Sequence, residues 1–301
     1  MKAFNYLIAG FLSFGLSACN NSESQKSTYT SGSEQILVDE SFAPIVDDEK
    51  LVFENAYPNS TLKMVYKPEN ELINLFLTDS FRVAILSREL SKDESKFFQN
   101  KNINLRVNRF AIDGIAIINH KSSPDSVINV SEIISLMQGK KGRIKSLVFD
   151  NPNSSTVRYL KELAGVKELP SEGVYALKSN PDVITYVHEN PGTLGVIGIN
   201  WISQPEKEME SIVNDLRVLG VKNLAGKSGS DGYYKPNQED LANELYPLRR
   251  NLYIINAEGR SGLGTGFASF IAGERGQRIV LKSGLLPDSI PPREVIIRKE
   301  F

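Results

Sequence analysis

Cysteine and histidine are scarce in this chain of 301 residues, which contains one cysteine and two histidines. A single thiol excludes both a disulfide within the chain and a metal cluster built from cysteines. His120 and His188 are far apart in the sequence and lack the spacing typical of metal ligands. We therefore expect each histidine to lie on the surface or in a loop, and we predict no metal site.

An excess of charge of either sign is also missing. Lysine and arginine number 35, aspartate and glutamate number 36, and the formal net charge is −1. Proteins that bind nucleic acid usually carry a basic excess, so we expect no nucleic-acid partner. A hydrophobic fraction of 41% is typical of a globular protein, and the length allows a large core and two domains.

Long apolar runs are absent except near the start. Residues 4–16 are mostly apolar, but the run is shorter than the roughly 20 residues that span a bilayer. It follows Lys2 and ends in Leu16-Ser17-Ala18-Cys19, which resembles a bacterial lipoprotein signal. The resemblance implies that residues 1–18 are removed, that Cys19 is lipidated, and that the protein is exported and membrane-anchored, in the periplasm or at the cell surface. The alternative is an ordinary signal peptide with a chance cysteine.

Residues 19–34 contain almost nothing apolar and are rich in Asn, Ser, Glu, Lys, Thr and Gly. Such a segment cannot build a core, so we expect a flexible tether between the anchor and the folded body. No later apolar run approaches membrane length, and the lipid is the only anchor that we predict.

From residue 34 onward, short apolar runs alternate with helical patterns. The first block contains strands at 35–38, 61–66, 83–86, 104–110 and 114–119, with helices ending at 57, opening at 68 and following 91. The second contains helices at 131–139, 157–164 and 180–190, with strands at 144–149 and 192–198. A further strand at 252–255 precedes a long helix at 267–283, interrupted near Gly273 and Gly276. This alternation predicts an α/β fold with a mostly parallel sheet.

The most informative stretch is the polar turn between the strand at 144–149 and the helix at 157–164. Asn153 and Ser154 are good N-cap candidates, and Ser155 and Thr156 follow in the first helical turn. Free N–H groups, the positive end of the helix dipole and three hydroxyls together would suit an anion. Simple capping of the helix is the alternative interpretation.

An enzyme is not predicted. Ser154 and Ser155 stand at a strand-to-helix turn, but the Gly-x-Ser-x-Gly pattern of a nucleophile elbow is missing. The glycine-rich residues 259–266 lack the Gly-Lys-Ser/Thr ending of a phosphate loop, so we expect a flexible loop there and no cofactor.

Eight segments in order resemble the PstS-like phosphate-binding proteins of ABC transporters, which have the type II periplasmic-binding-protein fold. They are residues 39–44, 82–90, 113–119, 133–140, 153–156, 191–198, 246–254 and 273–280. The resemblance implies two α/β lobes with a ligand cleft between them and two crossings. Lobe 1 would take residues 35–117 plus 245–301, and lobe 2 residues 118–244. It also implies hinge closure on a bound oxyanion, which an ABC permease then receives.

The resemblance also implies which residues bind the ligand. These are Ser41, Phe42, Ser87, Arg88, Asn153, Ser154, Ser155 and Thr156. The chain departs from the family at two places: Pro68-Glu69-Asn70-Glu71 replaces a Gly-Ser-Ser-Gly loop, and Asp150 stands where an arginine is usual. Carboxylates at these places oppose an anion. The open alternatives are phosphate or a similar oxyanion with Arg88 supplying charge, another small polar ligand, or a protein partner.

Overall fold

The computed structural model describes residues 27–259 and 261–289. The predicted signal, Cys19 and residues 19–26 of the predicted tether lie outside the described residues. Among the residues that are described, no helix is both long and apolar enough to cross a bilayer.

Strands and helices alternate along most of the chain. The strands are β1 (Gly32–Asp39), β2 (Ser60–Lys67), β3 (Val83–Leu86), β4 (Arg106–His120), β5 (Val127–Asn129), β6 (Leu147–Phe149), β7 (Val174–Ala176), β8 (Leu194–Gly198), β9 (Leu216–Val218), β10 (Gly220–Lys222), β11 (Arg249–Asn256) and β12 (Leu286–Pro287). The helices are α1 (Ala43–Ala56), α2 (Glu69–Phe76), α3 (Lys92–Asn100), α4 (Val130–Met137), α5 (Ser155–Ala164), α6 (Asn180–Glu189), α7 (Asn200–Ser203), α8 (Glu210–Asn214), α9 (Gln238–Ala242), α10 (Leu263–Ala272) and α11 (Glu274–Lys282). A single 3₁₀ turn, Glu40–Phe42, joins β1 to α1.

The main sheet has the strand order β2-β1-β3-β11-β4-β8-β6-β7, and β9 and β12 also pair with β4. Pairing is parallel within β2-β1-β3 and within β8-β6-β7. It is antiparallel around β4 and β11 in the centre. The predicted parallel sheet is therefore present in each half, and the two central strands that join the halves run against their neighbours.

β4 is one long strand where the sequence predicts two. Asp113 lies in the gap between the predicted strands 104–110 and 114–119, yet both it and Gly114 lie inside β4 and are buried. Asp113 pairs with Arg250 on β11. A Cβ on Gly114 would lie 2.5 Å from Pro236 Cβ, so the glycine allows this segment to pack close to the strand. The first part of β4 pairs with β11 and the second part with β8, so the strand connects the two halves.

Helices cover both faces of each half of the sheet. In the first half, α1, α10 and α11 pack on one face and α2 and α3 on the other. In the second half, α6 packs on one face and α4 and α5 on the other. These layers place the N-terminus of α5 beside the loop that follows β1, which positions the site described below.

Two sequence predictions need correction at the ends of the fold. β1 begins at Gly32, so the predicted tether ends earlier than residue 34. α10 begins at Leu263, inside the stretch for which we expect a flexible loop. The predicted interruption near Gly273 is confirmed, because α10 and α11 meet there, whereas Gly276 lies inside α11. Each boundary depends on packing against distant residues, which local patterns do not contain.

Candidate functional site

The candidate site lies where strands from both halves of the sheet end. Asp39 ends β1, Ser87 follows β3, and Asp150 follows β6. Loops and helix N-termini meet at the carboxyl ends of strands, which is where α/β sheets usually bind ligands. The residues predicted to bind the ligand lie in these loops or directly after them.

Helix α5 begins where the sequence predicts an N-cap. Ser154 Oγ accepts a hydrogen bond from the backbone N–H of Val157 at 3.2 Å and donates one to Asp150 Oδ1 at 2.6 Å. Ser154, Ser155 and Thr156 are all buried. The helix N-terminus and its hydroxyls suit a negative charge, and a carboxylate of the chain itself supplies that charge here.

Ser41 connects the first half of the sheet to the second. Its Oγ lies 3.4 Å from both Asp150 Oδ2 and Ser155 Oγ. Its backbone N–H donates to Asp39 Oδ1 at 3.0 Å, and its carbonyl accepts from the indole of Trp201 at 2.9 Å. The two 3.4 Å contacts are long for hydrogen bonds between oxygen atoms. The hydroxyl of Ser41 is therefore held weakly, although it is fully buried.

Arg250 supplies a buried positive charge at this point. Its Nε donates to Asp113 Oδ2 at 2.9 Å, and its Nη1 donates to Ser155 Oγ at 2.9 Å and to Thr156 Oγ1 at 3.2 Å. The guanidinium carbon lies 4.6 Å from the ring centre of Phe42, which is a cation–π distance. Phe42 thus supports the arginine with its ring.

Sequence reasoning assigned no role to Arg250. The residue lies in one of the segments that carry the family resemblance, next to Arg249, and only one of the two points into the core. The register of β11 against β4 sets Arg250 opposite Asp113, which is 137 residues earlier. The sequence shows two adjacent arginines at the start of this strand, and which of them is buried depends on the register of β11.

A second charged cluster surrounds Glu69, which is fully buried. Its carboxylate accepts from Ser87 Oγ at 3.0 Å and from Arg88 Nε at 3.2 Å. Arg158 from α5 donates to both carboxylate oxygens, at 2.5 and 3.2 Å, and to Ser87 Oγ at 2.9 Å. Arg88 also makes two hydrogen bonds to Glu94, at 2.8 and 2.9 Å. Arg88 is thus committed to two carboxylates, and Arg158, which the sequence did not indicate, spans the two halves.

Asn153 lies at the exposed edge of the site. Its backbone carbonyl accepts from the N–H of Asn70 at 3.3 Å, and its Oδ1 accepts from Asn70 Nδ2 at 3.4 Å. Asn70 is in the first turn of α2, so this contact again links the two halves of the sheet. The contact between Asn70 and Asn153 and the Glu69 cluster together cover the site.

Burial changes the proton affinity of the carboxyl groups inside. It raises the pKa of Asp39 to about 6, with Glu69 adding to the shift and Arg250 opposing it. Burial also raises the pKa of Asp113 and of Asp150. A proton on any of these groups removes a negative charge, so the site becomes less repulsive to an anion as the pH falls.

Several buried polar atoms around the site have no hydrogen-bond partner within the described part of the chain. Three are acceptors and one is a donor: Asp39 Oδ2, Asn180 Oδ1, Asn200 Oδ1 and Arg250 Nη2. Arg250 Nη2 does lie 2.9 Å from Asp113 Oδ2, as an ion pair without hydrogen-bond geometry. Buried polar atoms normally find partners, so these atoms identify positions where a polar ligand could bind.

The two histidines are far apart in the sequence but lie close together in the structure. The rings of His120 and His188 have centres 5.7 Å apart, next to Asp215. Both are partly exposed, as expected of surface residues. Tertiary structure brings them together from the end of β4 and from α6.

The comparisons with known proteins agree with this architecture. The phosphate-binding protein PstS of Borreliella burgdorferi is 24% identical over 291 residues, covering 89% of this chain and 92% of that protein. A putative phosphate ABC transporter substrate-binding protein from Clostridium perfringens, solved with bound phosphate, superposes with a TM-score of 0.71 at 21% identity. The match covers 86% of this chain and 100% of that one.

An ABC-type phosphate transport receptor from Vibrio cholerae has the same fold, with a TM-score of 0.63 and 17% identity over 85% of this chain and 100% of that one. These relatives are binding proteins of transporters and not enzymes, and the fold is that of the PstS-like, two-lobed type II binding proteins. A family model described as a PBP superfamily domain matches residues 23–275. This chain belongs to the PBP superfamily.

Proposed function

We propose that this protein is an exported, lipid-anchored receptor that binds phosphate or a similar oxyanion and delivers it to an ABC permease. The relatives named above are phosphate-binding transport proteins, which supports the ligand class. The lobes would be residues 35–117 plus 245–301 and residues 118–244. The observation that carries the proposal is the convergence of Ser41 from one half with Ser154, Ser155 and Thr156 from the other.

Ligand binding requires that the internal carboxylate gives up its hydroxyl donors. Asp150 accepts from Ser41 at 3.4 Å and from Ser154 at 2.6 Å. Ligand oxygens would take these donors and the first N–H groups of α5, and Arg250 would supply the positive charge. The buried carboxyl groups of Asp39 and Asp150 would then accept hydrogen bonds from a protonated oxyanion, which an unprotonated one such as sulfate cannot offer.

A second candidate ligand is a small neutral or cationic polar solute that donates several hydrogen bonds. The unpartnered atoms favour it, because acceptors outnumber donors at Asp39, Asn180, Asn200 and Arg250. Its site would be the same buried cluster, where the carboxyl groups of Asp39 and Asp150 would favour such a ligand.

Calorimetric titration with phosphate, using sulfate and arsenate as controls, tests the ligand class. We expect saturable binding of phosphate that is lost in a Ser154→Ala/Thr156→Ala variant and is much weaker for sulfate. A cooperatively folded protein that gives no heat with any of these anions would refute the oxyanion proposal. Thermal-shift screening of polyols and amines then tests the second candidate, and a protein partner is the remaining alternative.

The anchor is tested separately in cells. We expect radioactive palmitate to label the wild-type protein in the membrane fraction and not a Cys19→Ala variant. A protein that is processed and exported without lipid would fit an ordinary signal peptide and would refute the anchor.

A further inference from the structure

The two histidines of the chain form a cluster with Asp215 in the second half of the sheet. His120 is the last residue of β4, and the antiparallel pairing with β9 sets it opposite Leu216. Asp215 therefore lies beside it, and its carbonyl accepts the backbone N–H of Lys121 at 2.9 Å. His188 is in the last turn of α6, which packs on β4. Three separate elements thus position the three side chains.

The potential ligand atoms are close together. One ring nitrogen of each histidine and one carboxylate oxygen of Asp215 lie within 4.8 Å of one another. His188 Nε2 and Asp215 Oδ2 are 3.2 Å apart. Ligand atoms about 2.1 Å from a tetrahedral zinc ion are about 3.4 Å from each other. One pair already has this spacing, and side-chain rotation at the partly exposed His120 would bring in the third ligand.

The loop after β4 determines how His120 can bind a metal. Nδ1 of the ring accepts the backbone N–H of Ser122 at 3.1 Å and lies 2.7 Å from Ser122 Oγ, so Nε2 carries the proton of the neutral ring. Metal binding through Nε2 requires this proton to move to Nδ1, which then donates to the Ser122 hydroxyl. The neighbouring cations face backbone carbonyls: Lys121 Nζ donates to Asn214 O at 2.5 Å, and Arg217 Nη2 donates to Lys121 O at 2.9 Å.

We propose that His120, His188 and Asp215 bind a divalent transition-metal ion of the Zn²⁺ class. Two imidazoles and one carboxylate are a donor set that such ions prefer over Mg²⁺ or Ca²⁺. Three protein ligands leave the fourth position open to water or to a group from another molecule. Asp215 is well exposed, with 59% of its side chain accessible, so the ion can enter from solvent.

The metal site is separate from the oxyanion site. Asp113, beside Arg250 in the buried cluster, is seven residues from His120 along the same strand. At about 3.3 Å per residue this separation is roughly 23 Å. The proposal therefore does not depend on the function proposed above, and each can fail without the other.

Titrations with Zn²⁺ and Co²⁺ test the site in the full chain, purified in detergent without an affinity tag and with Cys19→Ala to remove the one thiol. We expect one equivalent of Zn²⁺ to bind with micromolar affinity, and Co²⁺ to give the intense visible absorption of a four-coordinate ion. His188→Gln and Asp215→Asn are expected to weaken binding at least tenfold. Glu189→Gln, which removes an exposed carboxylate from the same helix, is the matched control and should bind as wild type does.

The wild-type protein offers a readout that does not depend on any variant. Because the chain has two histidines, its imidazole ¹⁵N spectrum reports on this cluster alone. Both rings should shift at one equivalent of Zn²⁺. Absence of saturable binding, unshifted imidazole signals, or undiminished binding in a folded His120→Gln/His188→Gln variant would each overturn the proposal.

Discussion

At the scale of single residues, the buried carboxylates differ in how they are compensated. Glu69 accepts hydrogen bonds from two arginines and a serine, and Asp113 pairs with Arg250. Glu49 in α1 is different: it is fully buried, and neither carboxylate oxygen has a hydrogen-bond partner among the described residues. An uncompensated charge in such a place is costly, so the group holds its proton instead.

The first prediction concerns the pH dependence of stability that Glu49 causes. Burial, and then the neighbouring Asp48, raises its pKa to about 9 from an ordinary value of 4.5. The folded state therefore binds this proton more tightly than the unfolded state, and the contribution of Glu49 to stability falls as the pH rises from about 4.5 to about 9. Glu49→Gln should remove this dependence, so that between pH 6 and 8 the variant loses about 2 kcal/mol less stability than wild type.

Urea unfolding at several pH values measures this difference. The contributions of the other buried carboxyl groups to the pH dependence cancel, because both proteins contain these groups. Glu71→Gln, at an exposed position in α2, is the surface control and should follow wild type. Parallel pH profiles for wild type and Glu49→Gln would show that Glu49 is ionised in the folded protein.

The sequence could indicate Ser154, Ser155 and Thr156 because capping and helix dipoles are local properties. It could not indicate Arg250 or Arg158. The role of Arg250 arises from a strand register that joins it to Asp113, 137 residues earlier. The role of Arg158 arises from a contact between two helices that joins it to Glu69, 89 residues earlier. The same limit explains why the histidine pair was not expected.

At the scale of elements, the start of α5 has both a structural and a binding role. Ser154→Ala removes the N-cap hydrogen bond to Val157 and the 2.6 Å hydrogen bond to Asp150. We expect a loss of about 1 kcal/mol in stability and at least a tenfold loss in phosphate affinity.

Ser91→Ala is the control, because it removes a comparable cap, that of α3, which lies outside the buried cluster. It should cost similar stability and leave phosphate affinity within about twofold of wild type, as calorimetry and urea unfolding would measure. Equal losses of affinity in both variants would mean that Ser154 acts only through folding.

A third prediction concerns the segment that precedes β1. A Cβ on Gly266, inside α10, would lie 1.8 Å from the carbonyl oxygen of Tyr29. Alanine normally favours a helix over glycine by about 1 kcal/mol, but here the clash should push the residue 29 backbone away from α10. We expect Gly266→Ala to lower the melting temperature and to expose residues 27–31 to limited proteolysis.

Gly142→Ala is the matched control, because a Cβ there meets nothing within 4 Å. A raised melting temperature and an unchanged cleavage pattern in Gly266→Ala would show that the segment does not pack on the helix. The sequence predicted a tether here because residues 27–31 are polar. Ser27 contacts Leu263 at the start of α10, and Tyr29 contacts Ser261 in the turn before it. Both partners are more than 230 positions away in the sequence, which composition does not reveal.

At the scale of the whole molecule, order and type of elements were largely predictable, because apolar periodicity sets them. The closed arrangement of the two halves was not. At the site it rests on polar contacts between residues distant in the sequence: Ser41 with Asp150, Arg158 with Glu69, and Asn70 with Asn153. Water can take the place of polar contacts of this kind, so we expect the halves to separate at this end of the molecule.

The last prediction is that a ligand reaches the buried hydroxyls only when the halves separate. Asn70 and Asn153 contact each other through both backbone, at 3.3 Å, and side chains, at 3.4 Å, so this pair is the position that we choose for a disulfide across the site. An Asn70→Cys/Asn153→Cys variant, with Cys19→Ala, should be locked closed when oxidised and free when reduced. In the oxidised protein, phosphate should bind at least a hundredfold more slowly, and the buried amide of Ser41 should exchange with deuterium more slowly. Reduction should restore both rates to those of the Cys19→Ala protein.

The deuterium exchange is measured without ligand, so it tests opening of the two halves even if phosphate is not the solute. If the oxidised and reduced proteins exchange and bind at the same rates, the hydroxyls are reached by local motion of side chains, and the hinge has no part in binding.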